Sequence, residues 1–331
     1  MEHIVYALLI VILYLLFAVT FTLAKAAVTF LPPFLCIGLR MVVAGVLLLG
    51  AHMYSSGRLT INKKSWPLLL QTIIFHIYIA YTAEFWALQY VASAKTALIY
   101  NLSPFITALI AALLGYEVLT KRKMIGLGFG FAALVPWLLS STRVEEIAGS
   151  VSFVSVPELV LLGAVASACY GWILVSRLMR EYHYTPLMIN GIAMLGGGLL
   201  ALVGSFYLEG KPHIVIPTVL GSWELRLVNL IGTPHAFYLL SAGYLIALII
   251  VANIICYNLY AYLLKRYSAT FLSFAGFLCP LFAAMLGRIF FGEQLSSYFI
   301  ITMFLAMCGL YYFYQDEGKR TDILPTGDKS A

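Results

Sequence analysis

One acidic side chain lies deep inside an apolar run. Glu84 sits within the stretch from Trp66 to Val91. A carboxylate in hydrocarbon is costly unless paired or hydrated, which marks Glu84 as a candidate for substrate binding or proton transfer. The plainer alternative is a buried structural pair with Lys95 or Arg40. Tyr78, Tyr81 and Phe85 recur at i, i+3 and i+7 and share a helical face, with Glu84 at its edge and Trp86 just beyond. His76, two turns earlier, is a candidate proton relay or a satisfied core histidine. In a later run Asn253, Tyr257 and Tyr260 follow i, i+4 and i+7. Thr96, Tyr100, Ser103 and Thr107 form a polar stripe with Asn101 beside it. Such stripes line pockets, or merely bond their own helix backbone. Trp172 offers a further aromatic wall. Lys25 and Lys95 could neutralise a substrate carboxylate or snorkel to the outer interface. A carboxylate among tyrosines and tryptophans suits a cation that carries a flat ring, through cation–π attraction and stacking.

The sequence has no H-E-x-x-H, no Walker A and no G-x-S-x-G, so the expectation is a non-enzyme. Without a nucleotide-binding motif, movement of a solute would be driven by a gradient or by exchange. The five cysteines lie in apolar runs and none forms C-x-x-C, so they read as buried small hydrophobes; no metal and no cofactor is expected. The net charge of +6 is explained by basic loops rather than by nucleic acid.

These residues need elements to hold them. The chain of 331 residues is 62% hydrophobic and only 10% charged, far below the ~25% charged of soluble domains. Apolar runs long enough to span a bilayer repeat along it, and in lipid such runs must be helical. The runs are 4–24, 33–54, 66–91, 94–116, one ending near 139, then 157–179, 186–208, 236–264, 268–291 and 298–314. The expectation is an all-α membrane protein of ten transmembrane helices. Basic clusters follow every second run, which places both termini in the cytoplasm by the positive-inside rule.

Two stretches match across the chain. Pro104 falls on Pro280 and Glu117 on Glu293, each glutamate opening E-x-L-[TS]. Pro33, Gly38 and Gly45 fall on Pro186, Gly191 and Gly198 at one constant offset, and Tyr81 falls on Tyr257 at a larger one. This reads as a first five-helix repeat over 1–141, a connector at 142–156, a second repeat over 157–314 with a long extracytoplasmic loop at 209–235, and a cytoplasmic tail at 315–331. An odd number of helices per repeat makes the second copy inverted, the arrangement behind alternating access. Pro104 and Pro280 free backbone carbonyls for a hinge or cavity. Glu117 and Glu293, at helix ends, read as structural.

Ten helices as five plus five, with a proline and then E-x-L-[TS] in the fourth helix of each half, resemble the EamA type of the drug/metabolite transporter superfamily. Arg40 in the second helix is similar to the family pattern and is read as structural; the second half has Ala193 in its place, and the loop after the seventh helix is unusually long. The resemblance implies a secondary carrier in the bacterial inner membrane, with a small-molecule substrate and the lipid bilayer as partners. It also implies helices three, four, eight and nine among the cavity walls. The family includes carriers that exchange S-adenosylmethionine for S-adenosylhomocysteine. That cargo has a sulfonium, an adenine and an amino-acid end, and it is the specific expectation here. The alternative is a proton-driven exporter of amino acids or aromatic metabolites. From another class, an intramembrane enzyme would need a catalytic pair that the sequence lacks.

Overall fold

The computed structural model describes residues 2–91, 96, 99–100, 102–116, 120–129, 132, 156–210, 222–279, 282 and parts of 301–312. Among the described residues there are helices and turns and no strand. Six helices among the described residues are long and apolar enough to cross a membrane. Much of the fifth and tenth apolar runs, the ninth run beyond residue 279 apart from residue 282, the connector and the tail lie outside the described residues.

Helix α1 (Glu2–Phe30) continues past the expected end at Ala24. Helix α2 (Pro33–Ser56) starts on a proline, whose missing N–H costs nothing at the first helical position. It stops at Gly57, where φ is 69° and the backbone N–H returns to the Met53 carbonyl. Helix α6 (Pro186–Leu208) opens the same way, on a proline behind Thr185, whose hydroxyl accepts the Met188 N–H at 3.2 Å. Helix α2 has Pro32 in that capping place, with no side-chain acceptor. Glu209, at the end of α6, supplies one instead. Its carboxylate accepts the N–H groups of Phe34 at 2.7 Å and Leu35 at 3.0 Å, and the Ser205 hydroxyl donates to it at 2.8 Å.

Helices α2 and α6 form the most extensive pairing among the described helices, and glycines make it possible. A Cβ on Gly45 would stand 2.5 Å from the Leu195 nitrogen, and one on Gly198 would stand 2.7 Å from the Val42 nitrogen. Gly38 meets Leu202, and Gly191 meets Leu49. The start of each helix therefore lies on the end of the other. Each contact has a counterpart with the roles of α2 and α6 exchanged.

Helix α3 (Lys63–Ala87) and helix α8 (His235–Leu263) share an irregularity. Residues Thr72–Ile79 in α3 and Ile249–Cys256 in α8 wind as π-helix, and each stretch ends just before Tyr81 or Tyr257. π-turns are rare and concentrate at functional sites. Helix α4 (Ser103–Leu113) carries Pro104 in its first turn, and helix α5 (Val156–Tyr182) packs on α3 and α4. Residues 121–129 are helical, and the Thr120 hydroxyl accepts the Lys123 N–H at 3.2 Å.

The segment expected as a loop over 209–235 holds helix α7 (Ser222–Ile231). Ten residues rise only ~15 Å, about half a hydrocarbon core. It does not span; the Tyr244 hydroxyl of α8 donates to Glu224 at 2.5 Å and fastens it. Helix α9 (Ala269–Ala275) starts on Ser268, whose hydroxyl accepts the Phe271 N–H at 3.1 Å.

The segments that follow the second, fourth and sixth runs touch one another. The Tyr182 hydroxyl donates to the Lys64 carbonyl at 3.1 Å, and the Arg177 guanidinium lies 5.0 Å from the Tyr116 ring.

Candidate functional site

A cavity of about 170 Å³ opens among the helices. Its walls come from α1, α2, α3, α4, α5 and α8 and from the chain at and after α9. Most of the lining is apolar or aromatic; among the described residues its charged members are Arg40 and Glu84.

Glu84 is buried on α3. The Tyr100 hydroxyl donates to its Oε2 at 2.6 Å. Tyr100 is oriented in turn by Phe21 of α1, edge-on at 5.6 Å between ring centres. A carboxyl group that accepts one hydrogen bond has further lone pairs with which to meet a cationic ligand.

An aromatic wall stands nearby. Trp172 of α5 stacks on Tyr260 at 4.0 Å with 25° between planes, and it meets Tyr257 at 4.9 Å. Tyr257 lies 6.0 Å from Tyr81, the residue it matched in the sequence repeat. The two π-stretches thus deliver matching tyrosines to one place. Trp172, Tyr257 and Tyr260 together present apolar ring surface with polar tips, a surface suited to a heterocycle.

Arg40 of α2 completes the charged part. Its Cζ lies 4.7 Å from the Tyr81 ring centre and 4.6 Å from that of Phe85. Its side chain is buried.

Of the residues singled out in the sequence, Tyr81, Glu84, Tyr100, Trp172, Tyr257 and Tyr260 meet on this cavity, together with Ser103 and Thr107. Trp86 does not line it and instead packs on Tyr90 with ring centres 5.0 Å apart. At ~100° per residue, Trp86 is turned ~200° from Glu84 on the same helix. Asn253 also lies off the cavity and donates to Met41 Sδ at 2.8 Å. The π-winding explains this: counted in fives back from Tyr257, the position on the cavity face is Ala252, which does line it.

His76 sits behind the wall, its ring 4.4 Å from Trp172 and 5.2 Å from Tyr257. Neither ring nitrogen has a hydrogen-bond partner among the described residues. Pro104 is buried in the first turn of α4. Lys95, Asn101, Pro280, Glu117 and Glu293 lie outside the described residues, as does the side chain of Lys25.

Tyr14, Phe17, Thr20, Phe21 and Ala24 of α1, none of them a sequence candidate, form a whole wall. Their i, i+3, i+7 spacing was a usable signal, hidden by the uniform hydrophobicity of the helix.

The EamA-like transporter family model matches residues 4–138 and 157–315. A protein of Chlamydia muridarum named S-adenosylmethionine/S-adenosylhomocysteine transporter is 31% identical over 308 residues, covering 92% of this chain and 90% of that protein. A Chlamydia trachomatis protein of the same name is 30% identical over 307 residues, covering 92% of this chain and 88% of its own. A solved crystal structure superposes with a TM-score of 0.65 at 18% identity, covering 96% of this chain and 97% of its own, and so shares the fold.

Proposed function

We propose a specific cargo from one established premise: the chain belongs to the EamA-like transporter family. It is a multi-pass membrane protein. The cargo is S-adenosylmethionine, carried across the inner membrane in exchange for S-adenosylhomocysteine.

The observation that carries this reading is one cavity holding both the Glu84 carboxylate and the Trp172, Tyr257 and Tyr260 rings. Glu84 and the tyrosine faces attract the cationic end. Trp172 stacks the adenine. The names of the two chlamydial relatives support the same cargo. Lys95 and Asn101 belong to the same binding set in this proposal.

The transport mode is alternating access between two inverted five-helix units, over 1–141 and 157–314. Support comes from the exchangeable glycine contacts of α2 with α6 and from the paired π-stretches of α3 and α8. Two packed bundles that rock about a shared centre expose it to each side in turn. Pro104 and Pro280 supply give in that motion, while Glu117 and Glu293 fix helix ends. The end that gathers Lys64 and Arg177 is the cytoplasmic one, as positive-inside requires.

The test is uptake of labelled S-adenosylmethionine by cells expressing the protein. Uptake above the vector control that S-adenosylhomocysteine inhibits and that needs no pH gradient supports the reading. Uptake no greater than the vector control ends it. Efflux of amino acids that collapses with the uncoupler points instead to proton-driven export through Glu84 and His76.

A further inference from the structure

We propose that Arg40 is the carboxylate anchor of the cavity, so that the site reads both ends of an α-amino acid. The inference rests on the cavity being the substrate site. It adds the chemical class that the site selects: a zwitterionic amino-acid group attached to a flat or cationic body.

Arg40 lies within a membrane-spanning helix and is only 2% exposed. An arginine is costly there unless something takes its hydrogen bonds. The rings of Tyr81 and Phe85 attract its charge, but ring faces do not accept its in-plane N–H groups. Its Nε and Nη2 have no hydrogen-bond partner among the described residues. Glu84, on the same cavity, does not serve as that partner; its hydrogen bond comes from Tyr100.

Packing alone does not call for a charge here. The matching position in the second half is Ala193, buried in α6 without any polar group. The position matching Glu84 is Tyr260. Among the described residues, both charged groups of the cavity therefore come from one half, and the other half contributes rings. An asymmetric site inside a symmetric frame fits a ligand with distinct ends. A guanidinium held between two rings, with buried donors that no described residue meets, is placed at the cavity wall to take a carboxylate.

The experiment uses the purified full-length protein and thermal-shift titrations with matched pairs. One pair is S-adenosylmethionine and its decarboxylated form; the other is tryptophan and tryptamine. The wild type is expected to bind the carboxylate-bearing member at least ~10-fold more tightly, the scale of a hydrogen bond to a charged group. Arg40→Gln should bring that ratio to about 1, while Glu84→Gln should weaken both members of a pair together. Should Arg40→Gln fail to fold, Arg40→Lys decides, because a lysine keeps the charge but loses the fork, and the ratio should fall several-fold. A wild type that does not discriminate within either pair, or a folded Arg40 variant that keeps the wild-type ratio, overturns the anchor.

The two readings fail separately. If only the tryptophan pair shows Arg40-dependent discrimination, the cargo is wrong and the anchor stands. If S-adenosylmethionine is taken up but the ratio ignores Arg40, the cargo stands and the anchor is wrong.

Discussion

The Tyr100 hydroxyl donates to Glu84 Oε2 at 2.6 Å, and this bond joins the α3 wall of the cavity to the chain just ahead of α4. It is the point where the buried acid is both held and kept available. Glu84→Gln removes the charge and should lower apparent affinity for a cationic substrate by ~10–100-fold, the scale of a charged hydrogen-bond partner. Tyr100→Phe keeps the charge but loses a donor, so a smaller loss of ~10-fold or less is expected. Uptake kinetics on both variants check this order. Equal KM in wild type and Glu84→Gln would remove Glu84 from the binding site.

Trp172 stacks on Tyr260 at 4.0 Å between ring centres. If the wall holds an adenine, Trp172→Leu should weaken adenine-bearing ligands by roughly 1 kcal/mol, about 5-fold. Methionine, which has the amino-acid end but no ring, should be much less affected. Competition of unlabelled methionine and S-adenosylhomocysteine against labelled substrate measures the difference. A uniform loss for both would make Trp172 a packing residue.

How far these features could be read from residues alone depended on the type of signal. Helices α2 and α6 appear where Pro33 and Pro186 open apolar runs, because proline and hydrophobicity agree there. The tyrosines of the cavity were legible because Tyr81 and Tyr257 recur in both halves. The π-winding before each has no signature in side-chain pattern, and so Asn253 was placed on the cavity face that Ala252 occupies. Trp86 was grouped with Glu84 through nearness in sequence, which a helix turns into opposite faces. Arg40 read as structural because a lone charge in an apolar run does not reveal which groups it lacks. That Nε and Nη2 have no partner among the described residues emerges only in three dimensions.

Gly45 leaves no room for a side chain. A Cβ there would meet the Leu195 nitrogen at 2.5 Å, and backbone cannot step aside as a flexible side chain can. Gly45→Leu should destabilise the α2–α6 pair by ~1–3 kcal/mol or more, seen as a lower melting temperature and poorer recovery of monodisperse protein. Gly50→Leu, where nothing lies within 4 Å, should leave both unchanged. Similar behaviour of the two variants would contradict the close approach.

Glu209 caps a helix to which it does not belong, binding the Phe34 and Leu35 N–H groups from the end of α6. Glu209→Ala leaves those donors unmet at the start of α2. A loss of ~1 kcal/mol, the usual value of such a cap, is expected in thermal unfolding. Glu209→Asp, shorter by one methylene, should lie between alanine and wild type. An unchanged melting temperature for Glu209→Ala would show that other groups serve the α2 terminus.

The most direct measurement is counterflow in proteoliposomes containing only this protein. Vesicles preloaded with S-adenosylhomocysteine should accumulate labelled S-adenosylmethionine several-fold faster than empty ones, without a pH gradient, and Glu84→Gln should abolish the difference. Equal entry into loaded and empty vesicles, or full exchange by Glu84→Gln, would contradict an exchanger built around this acid.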